Sequence, residues 1–558
     1  MKFGTASQVP RVHWPWAVLS AVVLAAIAAA LILAGRQGDV PPETHAVVLR
    51  RGNGAEPESL DPQGARSEAA LTVLRDLYEG LTEIGPDGAP VWAAADQCAI
   101  SADGITYRFH LRKQARWSNG DPLVAEDFAA AWRRLVDPRT GAQYAQLLAP
   151  VQGAEAITAG LAAASTLGVQ AVDPATLQVV LTHPTPYFLA ILAHPATFPI
   201  NRTVLAQHPS GFAKPGVMVS NGAFVLTRWD FGSHLVAVRN RRYWNDAATH
   251  VDGVEYYSIT EPEAELRAFR SGAVDMTSTI PGAQFAWIKQ HLGQELHVAP
   301  QLGVYYLGLN LRRAPFAQSP QLRRALSLVI DRERLVLAVT GAGESAAYTF
   351  VPAQTLNYSP PLPEYAGWPM PRRIARAREL LAEAGMLQSP PTIELRYNSS
   401  ELHARIAIAV AGMWKQALGV DTTLHAEEFK VLLQDIGRGD VTQVFRASWL
   451  ADYNDAYGFL QVLQSGARLN LPRYANAEYD GLLARAASEV DTGRRRALLE
   501  NAEQVMIDDQ PLIPLYFYVA KHLVSARVQG WRDNAMNVVY SKQLAKDGSN
   551  RARTGDAR

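Results

Sequence analysis

The stretch Thr106 to Phe128, TYRFHLRKQARWSNGDPLVAEDF, decides the class of fold. From Ile105 to Leu111 apolar and polar residues alternate, the period of a half-buried strand. Asn119-Gly120 marks a tight turn. From Val124 to Val136 the apolar positions return at helical spacing, and Asp137-Pro138 stops the run, because a residue before proline is driven out of the helical region. Strand followed directly by amphipathic helix predicts a mixed α/β protein, not a bundle or a sandwich. The alternation continues outward. Val304 to Asn310 (VYYLGLN), Val441 to Trp449 and Pro514 to Val524 read as strands, the first of them central. Pro320 to Val339 reads as one helix with proline at its start. Glu401 to Leu418 reads as a helix capped by Ser399 or Ser400 and ended by Gly419. There is no repeat of fixed period, which argues against a solenoid or propeller.

At 558 residues the chain outgrows one core and predicts roughly two to four structural units. Lys+Arg and Asp+Glu balance at 53 each, so no net field gathers nucleic acid or an anionic membrane surface. The one cysteine, Cys98, has no partner for a disulfide and reads as a small buried apolar side chain. Trp14 to Ala34 carries no charge and, as a helix, would span ~30 Å, the thickness of a hydrocarbon core. Lys2 and Arg11 precede it, which predicts a cytoplasmic N-terminus with everything after Gly35 outside. An uncleaved anchor is the preferred reading. A cleaved signal peptide competes with it, although Ile32 before Ala34 makes a poor small-x-small site. Gly35 to His45 reads as a linker, and Lys546 to Arg558 as a frayed polar tail.

Motifs of catalysis are missing: there is no HExxH, GxSxG, P-loop or zinc-like Cys/His cluster. Gly341-Ala-Gly343 follows a helix instead of a strand and reads as a flexible helix end. Asp508 and Asp509 are adjacent and so do not face one another on a helix. No enzyme activity, cofactor or metal is expected.

Several segments carry a resemblance. They are Glu56 to Pro62 (EPESLDP), Asp76 to Leu81 (DLYEGL), Thr106 to Phe128, Ser220 to Phe224 (SNGAF) and Asn240 to Asn245 (NRRYWN). Tyr397 to His403 (YNSSELH) and Arg446 to Asn454 (RASWLADYN) complete the set. Together, in this order, they resemble the periplasmic oligopeptide-binding proteins, the large solute-binding family (family 5) that serves peptide ABC transporters. The resemblance implies a two-lobed, class II-like periplasmic-binding-protein fold with an extra domain. Lobe I would comprise residues 46–79, 204–301 and 520–545, the inserted domain 80–203 and lobe II 302–519, with hinges near 301–302 and 519–520. A residue 1–35 anchor, a 36–45 linker and a 546–558 tail complete the layout. The resemblance also implies short peptides as ligand, bound in the cleft by strand addition, and ABC transporter permease subunits as partners. The inner membrane would be reached through the N-terminal helix. A monomer is expected, with no nucleic acid bound.

The site residues follow from the same resemblance. A buried zwitterionic peptide needs a carboxylate for its ammonium and a cation for its carboxylate. Asp452 matches the family aspartate on the α-amine, and Arg446 a family arginine near the ligand carboxylate. His403 is similar to a histidine that helps hold a tripeptide carboxylate. Trp449 would wall a side-chain pocket, Phe429 stands in place of a family tryptophan, and Tyr144 and Tyr518 match cleft tyrosines. Two departures stand out. Gly303 and Leu450 occupy positions where some members carry a disulfide, and Thr340 replaces a lysine used for longer peptides. A dedicated ligand such as a murein peptide is the alternative, followed by a tethered peptide sensor or chaperone and, last, a peptide hydrolase.

Overall fold

Within TYRFHL, residues Thr106–Leu111 form a strand whose Tyr107, Phe109 and Leu111 are buried while Arg108 faces out. The turn that follows is locked onto the next helix, Ala125–Val136, by one carboxylate. Asp127 Oδ2 accepts from the indole Nε1 of fully buried Trp117 at 2.9 Å and from the Val124 backbone N–H at 3.1 Å. Its Oδ1 accepts from Arg202 Nε at 2.9 Å. Gly120 takes φ +99° in this turn, a conformation open to glycine.

The computed structural model describes residues 1, 46–439 and 442–547, and its large folded unit begins at Val47. The expected anchor over Trp14 to Ala34 lies outside the described residues, as does the sequence after Asp547. Among the described residues no helix is long and apolar enough to cross a membrane.

Three sheets of four or more strands organise this unit. A four-stranded sheet runs in the order Val48–Gly52, Gly253–Tyr257, His234–Arg239, Phe224–Asp230, its first pair parallel and the others antiparallel. A second, antiparallel, runs Ala95–Ile100, Thr106–Leu111, Thr176–Val180, Val169–Asp173. The third has six strands: Ser345–Ala346, Leu512–Leu523, Leu296–Leu309, Val444–Leu450, Thr392–Asn398 and Asp421–Glu427. Leu296–Leu309 and Leu512–Leu523 pair antiparallel from Leu296↔Leu523 to Gly308↔Leu512, and the ladder breaks between Pro300 and Val304. Met276 bridges the first sheet to the far end of this pair, joining Arg51 on one side and Val524 on the other.

Side-chain alternation along Leu296–Leu309 divides the interior. Val304 and Tyr306 belong to a large core shared with the first two sheets, while Tyr305, Leu307 and Leu309 belong to a second core. The helix Glu401–Leu418 packs into that second core through Ile406, Val410 and Trp414. Gly419 ends it at φ +75°.

Two expectations are corrected. The helix read over Pro320 to Val339 is broken: Pro320–Leu328 ends, Asp331 caps a new turn at Arg332–Leu335, and a π-turn over Val336–Thr340 follows. The break lets fully buried Arg332 turn inward, where it donates to the Ser327 and Pro514 carbonyls at 3.0 and 2.8 Å. The tail begins later than read, because Lys546 lies in a short strand with Val528–Gln529 and its Nζ bonds Asp275 Oδ2 at 2.7 Å. Cys98 is half-buried on an outer strand and packs against the large core.

Trp414 is fully buried and donates its indole N–H to the Leu326 carbonyl at 3.0 Å, tying two helices of the second core. Trp414→Ala removes that volume and orphans the carbonyl, so it should destabilise the fold by about 3–5 kcal/mol. A urea unfolding midpoint unchanged from the parent would contradict this packing.

Candidate functional site

The strand Val444–Leu450 is paired on both sides, to Leu296–Leu309 and to Thr392–Asn398. Its alternation sends Arg446 and Ser448 to one face and Phe445, Ala447 and Trp449 to the other, into the large core. The predicted site residues therefore fall into two groups.

The first group surrounds Arg446. Its Nη2 donates to Tyr518 Oη at 3.2 Å and Ser448 Oγ at 3.3 Å, and its Nη1 to Asn398 Oδ1 at 3.3 Å. The guanidinium lies 4.9 Å from the Tyr305 ring centre, and Tyr305 Oη meets His403 Nδ1 at 3.3 Å. All these partners are neutral. Among the described residues Arg446 has no carboxylate partner, and its Nε is buried without a protein acceptor. Burial, with Arg446 adding to it, pulls His403 down to about 4. His403 is thus a neutral hydrogen-bonding group near pH 7, and Arg446 supplies the positive charge of this group.

The second group surrounds Asp452, in the loop that follows the strand. Its neighbours are pinned. Ala451 N–H donates to the Leu302 carbonyl at 2.9 Å, Tyr453 stacks on Tyr187 at 5.3 Å, and Asn454 Oδ1 accepts from Leu356 N–H at 3.0 Å. Asp455 accepts two hydrogen bonds from Arg495, at 2.7 and 2.8 Å. Asp452 itself is half-buried, with no cationic partner among the described residues. Burial, and then the Glu68 carboxylate, push its pKa up to about 6. An unpaired carboxylate in such a position favours a cation brought from outside.

Asp452 and Trp449 line a cavity of about 480 Å³ together with Tyr187, Tyr453 and Tyr457. Trp449 Nε1 is buried there without a protein acceptor. Tyr144 stands near this group: its Oη donates to the Arg66 carbonyl at 3.3 Å, and burial with the Asp452 charge pushes it up to about 12. Phe429 opens the helix Phe429–Arg438 and is 49% exposed, with no described contact to either group. Thr340 is turned back on its own helix, its hydroxyl donating to the Val336 carbonyl at 2.9 Å. Gly303 sits opposite Leu450 in the ladder, and a Cβ on it would clash with Leu450 Cδ2, so the leucine fills the space.

Sequence reasoning missed Tyr305, Tyr187, Tyr453 and Glu68. Tyr305 carried a usable signal, being on the strand already read as central. Glu68 and Tyr187 carried none, since each reaches the site through distant chain segments. No group of side chains suited to hold a metal ion is present among the described residues.

Comparison with known proteins places the chain in a family. The family described as bacterial extracellular solute-binding proteins, family 5, middle part, matches residues 89–470. The chain is 36% identical over 487 residues to the periplasmic oligopeptide-binding protein OppA of Escherichia coli, covering 87% of this chain and 89% of that one. It is 37% identical over 513 residues to the probable deoxycholate-binding periplasmic protein YgiS of Escherichia coli, covering 91% and 95%. The solved structure of the Escherichia coli murein tripeptide binding protein MppA superposes with a TM-score of 0.78 at 35% identity, over 90% of this chain and 99% of that one. The α/β frame, the matched span and these relatives agree: the chain belongs to the bacterial extracellular solute-binding proteins of family 5.

Proposed function

We propose that this protein captures short oligopeptides between two lobes outside the cytoplasm and hands them to an ABC importer. The observation that carries the reading is a pair of opposite charges, Asp452 and Arg446, each without a charged partner among the described residues. Both lie on one segment, so both termini of a ligand can be held by a single copy of the chain. Six residues of extended chain bring their Cα atoms at most ~20 Å apart, which suits a peptide of a few residues. Asp452 takes the α-ammonium. Arg446, helped by His403 and Tyr518, takes the carboxylate, and Trp449 and Tyr144 wall the side chains.

Lobe I comprises 46–79, 204–301 and 520–545, the inserted domain 80–203 and lobe II 302–519. The ladder break between Pro300 and Val304 supports a hinge at 301–302 and 519–520, because interrupted pairing bends more readily. The apolar run Trp14 to Ala34 holds the protein to the inner membrane. The ligand leaves chemically unchanged. A dedicated ligand is the second reading, favoured by the likeness to a murein tripeptide binding protein and by ligand change on a kept scaffold. Ordinary tripeptides that displace a bound murein peptide would decide against it.

Removing one partner of a buried charge pair typically costs ~2–5 kcal/mol, so Asp452→Asn should weaken tripeptide binding by about 30-fold or more. Arg446→Gln should weaken a free tripeptide by about as much, yet leave its C-terminal amide nearly unchanged. Calorimetry with both ligands checks this, and equal losses for acid and amide would remove Arg446 from the carboxylate.

The pH dependence follows from Asp452. Without ligand its carboxyl holds a proton below about pH 6, and a bound ammonium lowers that value. Affinity is therefore full above about pH 6 and falls by up to ~10-fold per pH unit below it. His403, at about 4, stays neutral across this window. Titrations from pH 7.5 to 5 should show the fall in the parent and a flat line in Asp452→Asn. A flat line in the parent would contradict the assignment.

A further inference from the structure

The balanced total charge hides a basic groove that shares no lining residue with the Asp452 cavity. Lys113, Arg116, Arg242 and Trp244 line a shallow groove of about 780 Å³. Arg112 stacks at its edge, 4.0 Å from the Trp244 ring centre. Lys113, Arg116 and Arg242 are exposed, and none of them has a carboxylate partner among the described residues. Nearby carboxylates are engaged elsewhere. Asp121 at the rim bonds the Asn119 amide at 2.6 Å, and Glu79, beneath, accepts from Trp244 Nε1 at 2.8 Å and pairs with Lys542.

The groove also lies near the point where the chain enters the fold. Val47 N–H donates to Asp252 Oδ2 at 3.1 Å, and Arg241, next to Arg242, donates to Asp252 Oδ1 at 3.1 Å. Eleven residues, Gly35 to His45, separate Val47 and Ala46 from the apolar run that ends at Ala34. Fully extended, they reach at most ~40 Å. With that run in a bilayer, Val47 stays within that reach of the lipid surface. Unpaired cations beside an indole match the chemistry of anionic headgroups at such an interface.

We propose that the groove of Lys113, Arg116, Arg242 and Trp244 seats the folded part on an anionic phospholipid surface beside its tether. The inference rests on the membrane-anchor reading of Trp14 to Ala34. It commits to lipid because Asp252 links Arg241, beside the groove, to Val47, where the described fold begins after the apolar run, whereas an acidic protein partner would be served by any face.

The test uses the full chain reconstituted into vesicles of phosphatidylcholine alone, or with about 30% phosphatidylglycerol. Flotation after carbonate extraction reports the anchor. Acylation of Lys113 by a water-soluble amine reagent, read by mass spectrometry against exposed Lys430, reports the groove. Lys113 labelling should fall about threefold or more in the anionic vesicles only, and recover near 0.5 M salt, where exposed charges are screened. Arg116→Glu with Arg242→Glu should abolish the protection, and Arg116→Gln alone should reduce it. Equal labelling in both vesicle types overturns the proposal whether or not the chain floats. Protection that persists in high salt overturns it too, whereas failure of flotation alone counts against the anchor.

Discussion

The ladder between Leu296–Leu309 and Leu512–Leu523 is the constraint on which the other elements depend. It places one strand as the wall of two cores, because successive side chains point to opposite faces. Val304 and Tyr306 serve one core, and Tyr305, Leu307 and Leu309 the other. The same strand sets the register of the Arg446 segment through Gly303↔Leu450 and Leu307↔Arg446. A slip of one residue would send Arg446 into the large core and turn Ala447 toward Tyr305 and Tyr518. Register here is therefore a condition of charge placement as well as of packing.

The electrostatic logic of the site is contrast between neighbours. Asp455 is matched by Arg495, which in turn lies 5.2 Å from the Tyr187 ring centre. Three residues earlier Asp452 is unmatched, and burial raises its pKa. Leaving such a group unpaired in a half-buried place is unfavourable, and a cation brought to it would relieve the cost. Arg446 is treated likewise: aromatic and hydroxyl groups hold its orientation while leaving its charge uncompensated.

What could be read from sequence was local. Strand, turn and helix in Thr106 to Phe128 were legible because alternation, Asn-Gly and Asp-Pro act within a few residues. The break in the helix from Pro320 was not legible, since a distant partner, the Pro514 carbonyl, helps draw Arg332 inward. RASWLADYN singles out Asp452 and Arg446 as candidates, but the division of Arg446 from Trp449 follows from pairing on both edges of their strand. Tyr187, stacked on Tyr453, is supplied by a remote segment and carried no signal. A zero net charge likewise gave no hint of a groove assembled from residues 112–116 and 242–244.

Native mass spectrometry of the protein, purified without unfolding, decides whether it carries peptides. Added masses that match short peptides are expected, released when Asp452→Asn is introduced or when the pH falls below about 6. A single non-peptide mass, unaffected by either change, would contradict peptide capture.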